Sequence, residues 1–186
     1  MRKNLGAKAL LYPEPVLVIA TYNRDSSVNA MIAAWGCVSD YDKVTICIDM
    51  GHKTAENIKR NREFTVSMAN AKNIVALDYL GIVSGNKVAD KFTRSGLTAV
   101  KSENIHAPII QELPLALECK LIKYDKNTEL VTAQIVNVSA DKSILNARGK
   151  VDVTKLAPLC YDPEGLGYYS LSKRVGNAFK DGKKIK

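Results

Sequence analysis

Residues 28–61, VNAMIAAWGCVSDYDKVTICIDMGHKTAENIKRN, constrain what this chain can fold into more than any other stretch. They read as a long apolar strand over 28–38 carrying Trp35, a tight turn over 39–42, and a second strand over 43–49 in which polar and apolar residues alternate. Gly36 inside the first strand marks a bulge or the close approach of another group. A Gly51-His52-Lys53-Thr54 corner then opens a helix over 55–61, with Thr54 at its cap, Glu56 in the first turn, and Lys59 and Arg60 near the end. Such a strand-loop-helix corner offers an anion backbone N–H groups, a hydroxyl and an ammonium, aided by the helix dipole. The strand before it is small and flat, with Ala30, Ala33, Ala34 and Gly36 letting a planar group reach the backbone. A flat aromatic ligand with a phosphate tail suits both halves.

The remaining chain reads mostly as hairpin-linked strands. Residues 16–22 (VLVIATY) form a β-branched run that a polar turn over 23–27 folds back onto the strand beginning at Val28. A strand is expected over 63–68 and a helix over 71–80, stopped by Gly81. Residues 84–97 form a polar, glycine-punctuated loop with Ser84, Lys87, Lys91 and Arg94. Residues 116–124 and 129–139 both alternate and form an antiparallel hairpin across Asp125-Lys126-Asn127. Beyond Ala147, Gly and Pro residues predict irregular structure. The class is mainly β with short α additions, an antiparallel barrel in one domain over 1–186.

Composition narrows the setting. The hydrophobic fraction of 46% and charged fraction of 25% are those of a globular protein. No apolar run has transmembrane length, and the N-terminal residues lack a secretory signal's apolar core, so no membrane association and a cytoplasmic location are expected. Cys37, Cys47, Cys119 and Cys160 stand far apart, mostly in apolar runs, and are expected as buried free thiols. The net charge of +8 is concentrated toward the C-terminus, and no basic run carries interleaved aromatics, so nucleic acid is not an expected partner.

Several chemistries lack their residues. The only histidines, His52 and His106, have no ligand-spaced neighbours, so no metal site is expected. G-x-S-x-G, G-x-G-x-x-G after a strand and a complete Walker loop are all absent. What remains is a bound planar cofactor.

The segments PVLVIATY (15–22), VNAMIAAWGCVSDYDKVTICI (28–48), GHKTAENIKRNREFTVSM (51–68), ADKFTRSGL (89–97), LPLALECKL (113–121) and YYSLSKRVGNAFKDGKK (168–184) occur in an order that resembles the flavin reductase-like, FMN-binding split-barrel family, and within it the flavoredoxin branch. The resemblance implies a six-stranded Greek-key split barrel, a homodimer and FMN near the dimer interface. It places Asn29, Ala30 and Met31, with Ala33 and Trp35, along the isoalloxazine ring. Asp49, Met50, Gly51, His52, Lys53 and Thr54 correspond to the ribityl and phosphate loop, and Ser84, Lys91 and Phe92 to a loop closing on the flavin. His52 stands where many members carry Arg or Ser.

No catalytic side chain is implied, because hydride or electron transfer is the flavin's own chemistry. Two roles fit this reading: a reductase taking hydride from NAD(P)H, or a flavoredoxin-like carrier exchanging electrons with a protein, for which the basic tail beyond Lys173 offers a dock for an acidic redox partner. The alternative from another class is a flavin-binding or dimerising module without turnover.

Overall fold

A computed structural model describes residues 1–171 and 173–185. Twelve strands and four α-helices follow in the order β1 (Glu14–Pro15), β2 (Leu17–Tyr22), β3 (Val28–Ala33), β4 (Gly36–Asp40), β5 (Lys43–Cys47), α1 (Lys53–Asn61), β6 (Glu63–Met68), α2 (Ile74–Ile82), α3 (Lys91–Arg94), β7 (Ala99–Lys101), β8 (Pro108–Ile110), β9 (Leu115–Asp125), β10 (Leu130–Ala140), α4 (Val153–Leu156), β11 (Leu159–Asp162) and β12 (Gly167–Ser170). Seven strands make the main sheet, in the order β3-β2-β6-β9-β10-β5-β4, with every pair antiparallel.

That order forces the sheet to curl. Laid flat, seven strands would hold the two edges about 29 Å apart. The edge strands β3 and β4 are nonetheless consecutive in the chain, joined only by Ala34 and Trp35. This link reaches roughly 11 Å at full extension, so the edges must be brought together. The expected single strand over 28–38 is therefore one strand bent across the seam, and with it the barrel has six strands in the split-barrel arrangement. Gly36 sits where the bend brings strands close: a Cβ there would lie 2.7 Å from Leu17 Cδ1 and 3.2 Å from Ile46 Cγ1. The path from β5 to β6 skips β9 and β10, which is the Greek-key crossover.

Burial on both faces of β2 explains its uninterrupted apolar run. Leu17 and Ile19 point into the barrel with Val44, Ile46, Phe64, Val66, Cys119 and Val131. Val16, Val18 and Ala20 point outward, under Leu77 and Leu80 of α2, Phe92 of α3, Ile110 and Leu159. Helix α1 carries the crossover and buries Ala55 and Ile58, three residues apart, in the barrel interior. Its C-terminus is closed by Arg62 in the left-handed region, whose N–H returns to Ile58.

Four details depart from the sequence expectations. Helix α1 starts two residues early, at Lys53, with His52 at the cap, so Thr54 is inside the first turn and free for another partner. Gly81 does not stop α2, which runs to Ile82, because packing on Ile32 outweighs the local cost of glycine. The glycine- and proline-rich end forms the β11–β12 hairpin, which joins β1 in a three-stranded sheet. All four cysteines are free, but only Cys119 is buried; Cys37 is exposed and Cys47 and Cys160 are half-buried. Among the described residues no helix is long and apolar enough to cross a membrane.

Candidate functional site

The loop from β5 to α1 is built around Asp49. Asp49 Oδ1 accepts the Gly51 N–H at 2.6 Å and the Asp49 carbonyl accepts the His52 N–H at 3.2 Å. Glu129 Oε1 takes the Met50 N–H at 3.4 Å, tying the loop to the β9–β10 hairpin. His52 enters the helix with extended backbone and makes no side-chain cap. The Lys53 and Thr54 N–H groups consequently have no acceptor among the described residues, as the first turn of an uncapped helix requires. They are the natural donors to an anion.

Two side chains complete the seat. Thr54 is buried, and its Oγ1 accepts the Asn29 Nδ2 at 2.8 Å. Because that bond uses the oxygen as acceptor, the hydroxyl proton is left to donate elsewhere. Lys53 lies at the rim, its Nζ donating to Glu56 Oε2 at 2.9 Å. Opposite, the turn after α2 closes on this corner: Asn86 Nδ2 donates to the Gly51 carbonyl at 2.7 Å. Gly85 lies so near that a Cβ would come within 2.5 Å of Asn29 Oδ1 and 3.1 Å of Lys53 Cβ.

Lys91 supplies the third wall. Its side chain is buried, with Nζ donating to the carbonyls of Leu80 at 3.0 Å and Val83 at 2.9 Å. Those carbonyls belong to the end of α2, where the helix dipole favours a cation. Burial pushes the Lys91 ammonium down to about 8.

These pieces enclose a cavity of about 550 Å³, a size that holds a cofactor. Its lining combines polar residues, Asp49, Gly51–Thr54, Ser84, Lys87 and Lys91, with apolar ones, Met31, Ile32, Leu80, Ile82 and Val83. A planar apolar body bearing an anionic tail matches this polarity. The donor set therefore fits FMN: N–H groups, a hydroxyl and ammonium groups for the phosphate, and an aliphatic wall for the ring.

Of the residues the sequence singled out, Asn29, Met31, Asp49, Gly51, His52, Lys53, Thr54, Ser84 and Lys91 line this cavity together. Ala30 and Phe92 lie in the outer apolar layer, and Ala33 in the barrel interior. Met50 is exposed on the loop. Trp35 fills neither core nor cavity: it is 60% exposed and lies in a separate apolar groove of about 500 Å³ with Leu11, Pro13, Ala34, Cys37 and Leu130. Sequence reasoning missed Ile32, Leu80, Gly81, Ile82, Val83 and Gly85. The unbroken apolar run from Leu80 to Val83, continuing past the last buried helical position, was the available signal. Among the described residues no group of three or more His, Cys, Asp or Glu side chains is placed to hold a metal ion.

A curled antiparallel barrel with an anion seat at a β5–α1 corner, walled by a helix end and an edge strand, defines the class of split-barrel flavin proteins. The chain belongs to the family of the flavin reductase like domain, which matches residues 9–169, and falls in its flavoredoxin branch. It is 34% identical to the flavoredoxin of Desulfovibrio vulgaris (Miyazaki F), with a TM-score of 0.93 over 98% of this chain and 100% of that one. The flavoredoxin from Methanosarcina acetivorans shares the fold at 24% identity and a TM-score of 0.90, covering both chains in full. An FMN-binding domain of a flavin reductases-like enzyme from Shewanella baltica OS155 shares it at 22% identity and a TM-score of 0.79, over 88% of this chain and 89% of that one.

Proposed function

We propose that this chain binds FMN in the β5–α1 cavity and works as a flavoredoxin-type electron or hydride carrier. The observation that carries this is the donor set of the corner left without acceptors among the described residues, the Lys53 and Thr54 N–H groups and the Thr54 hydroxyl proton, in a cavity also lined by aliphatic side chains. The family and the likeness to flavoredoxin support the same reading.

When bound, FMN supplies the redox chemistry. The protein's part is binding and orientation. The α1 N-terminus and Lys53 fix the phosphate, and Asn29 holds the Thr54 hydroxyl in place. Met31, Ile32 and Ile82 keep water from the ring. Lys91 brings positive charge to the wall, which favours a reduced, negatively charged flavin.

A homodimer belongs to this proposal, with Trp35 and its apolar groove as the contact, since a tryptophan among exposed apolar neighbours is an interface feature. The electron source is NAD(P)H or an acidic redox protein. Mixing FMN-loaded protein with NADPH, NADH or a reduced iron-sulfur protein in a stopped-flow instrument tests the role. Rapid bleaching by a nicotinamide marks a reductase, and rapid bleaching only by the protein donor marks a carrier. Bleaching by neither removes the redox role and leaves a flavin-binding module.

A further inference from the structure

Lys53 reaches the anion seat already engaged. Its Nζ donates to Glu56 Oε2 at 2.9 Å, one helical step along α1, and Glu56 is not itself part of the cavity wall. An acid in the first turn of a helix ordinarily serves the dipole, and Glu56 does so. Its surroundings give it a second task. Glu56 Oε1 also faces Arg60 Nη1 at 3.7 Å and Arg24 Nε at 3.8 Å, so three cations converge on one carboxylate. The carboxyl is held below its usual range, chiefly by the Lys53 hydrogen bond.

The three cations are not equally free to leave. Arg60 is pinned by Nε to Asn61 Oδ1 at 3.0 Å and by Nη2 to the Tyr22 carbonyl at 2.8 Å and Asn57 Oδ1 at 2.9 Å. Its Nη1 is buried without a hydrogen bond, so Glu56 is its nearest counter-charge. Arg60 thus holds Glu56 from behind. Lys53 has a flexible stem and no other partner among the described residues. An arriving phosphate must draw Lys53 away from a carboxylate that keeps Arg60 and Arg24 as its remaining counter-charges.

We propose that Glu56 is a positioning residue that competes with the ligand's phosphate for Lys53 and thereby loosens the grip on a phosphate-bearing flavin, keeping it exchangeable. This rests on the FMN reading of the site. The competition acts only through Lys53 and only on ligands with a phosphate. Riboflavin, which has the ring but no phosphate, is indifferent to it.

The test is a double-mutant cycle on the full chain, titrated with FMN and with riboflavin. Glu56→Gln tightens FMN roughly two- to fivefold, the range expected for an ion pair that is half in water. FMN dissociation slows by the same factor, and riboflavin affinity is unchanged. In a Lys53→Ala background the effect of Glu56→Gln disappears. Glu56→Asp, too short to reach Lys53 but still a charge beside the arginines, reproduces part of the gain and serves if the glutamine variant folds poorly. Unchanged or weakened FMN binding in both Glu56 variants overturns the inference, as does a gain that persists without Lys53. Wild-type protein that binds FMN no better than riboflavin instead removes the site reading itself, and this inference with it.

Discussion

Asn29 Nδ2 lies 2.8 Å from Thr54 Oγ1, joining an edge strand of the barrel to the first turn of α1 through two buried side chains. The contact fixes the direction of the Thr54 hydroxyl at the anion seat. Replacing Thr54 by Val keeps the shape but removes that donor and strands the Asn29 amide. Hydrogen bonds to charged groups contribute about 1.5–3 kcal/mol, so FMN affinity should fall roughly tenfold or more. Flavin fluorescence titration measures this, and riboflavin binding should change far less.

The buried ammonium of Lys91 couples pH to binding and to stability with opposite signs. Folding lowers its pKa from 10.5 to about 8, so the unfolded chain binds more protons between those values. The contribution of Lys91 to stability therefore rises as pH climbs from about 8 toward 10.5. An anionic ligand is attracted by the charged form in the cavity wall, so FMN affinity should decline over the same interval. In Lys91→Met both trends flatten, which thermal melts and FMN titrations across pH 7 to 10 would register; identical profiles in the two proteins contradict this role.

Gly85 is required by space. An alanine there must displace Asn29 Oδ1, only 2.5 Å from the added methyl, and crowd the Lys53 stem. Gly85→Ala should weaken FMN binding about tenfold while moving the melting temperature by only a few degrees, because the strain stays in the site. A large loss of stability with normal FMN affinity would show that the crowding is absorbed elsewhere.

Away from the cavity, Glu118 is a buried carboxylate whose contribution to stability depends on pH in acid. Burial pushes its pKa up, but hydrogen bonds from Ser102, Asn104, Asn137 and Ser139 prevail and hold it below 4.5. Asn137 Nδ2 donates at 2.6 Å and Asn104 Nδ2 at 3.0 Å. The stabilisation is present above the ordinary glutamate range and is lost as pH falls through the lowered folded value. Glu118→Gln should cost about 1–3 kcal/mol at pH 7, a gap in urea melts that narrows as the wild type is acidified.

Much of the site was legible because it is local. The Gly51-His52-Lys53-Thr54 corner, the β2–β3 hairpin and the β9–β10 hairpin are all set by near neighbours and by local pattern. Closure of the barrel is not. Gly36, next to Ala34 and Trp35, reads only as a bulge or a close approach; that the chain there crosses between the two edges of the sheet follows from strands far apart in sequence competing for those edges. Lys91 reads as a lysine of a loop closing on the ligand; its burial against two carbonyls at the end of α2 appears only once that helix end is placed over it. Gly81 reads as a helix stop until Ile32 is packed against it. The β11–β12 hairpin hides in a segment whose glycines and prolines resemble a loop, and its partner β1 lies near the other end of the chain.

The central claim is that the corner at residues 51–54 seats a phosphate while the apolar wall receives the ring. Calorimetric titration of flavin-free protein with FMN and with riboflavin, in the wild type and in Lys53→Ala, addresses it most directly. FMN should bind at least tenfold tighter than riboflavin in the wild type, and Lys53→Ala should remove most of that preference. Equal affinity for the two flavins, no binding of either, or a preference untouched by the loss of Lys53 would contradict the account.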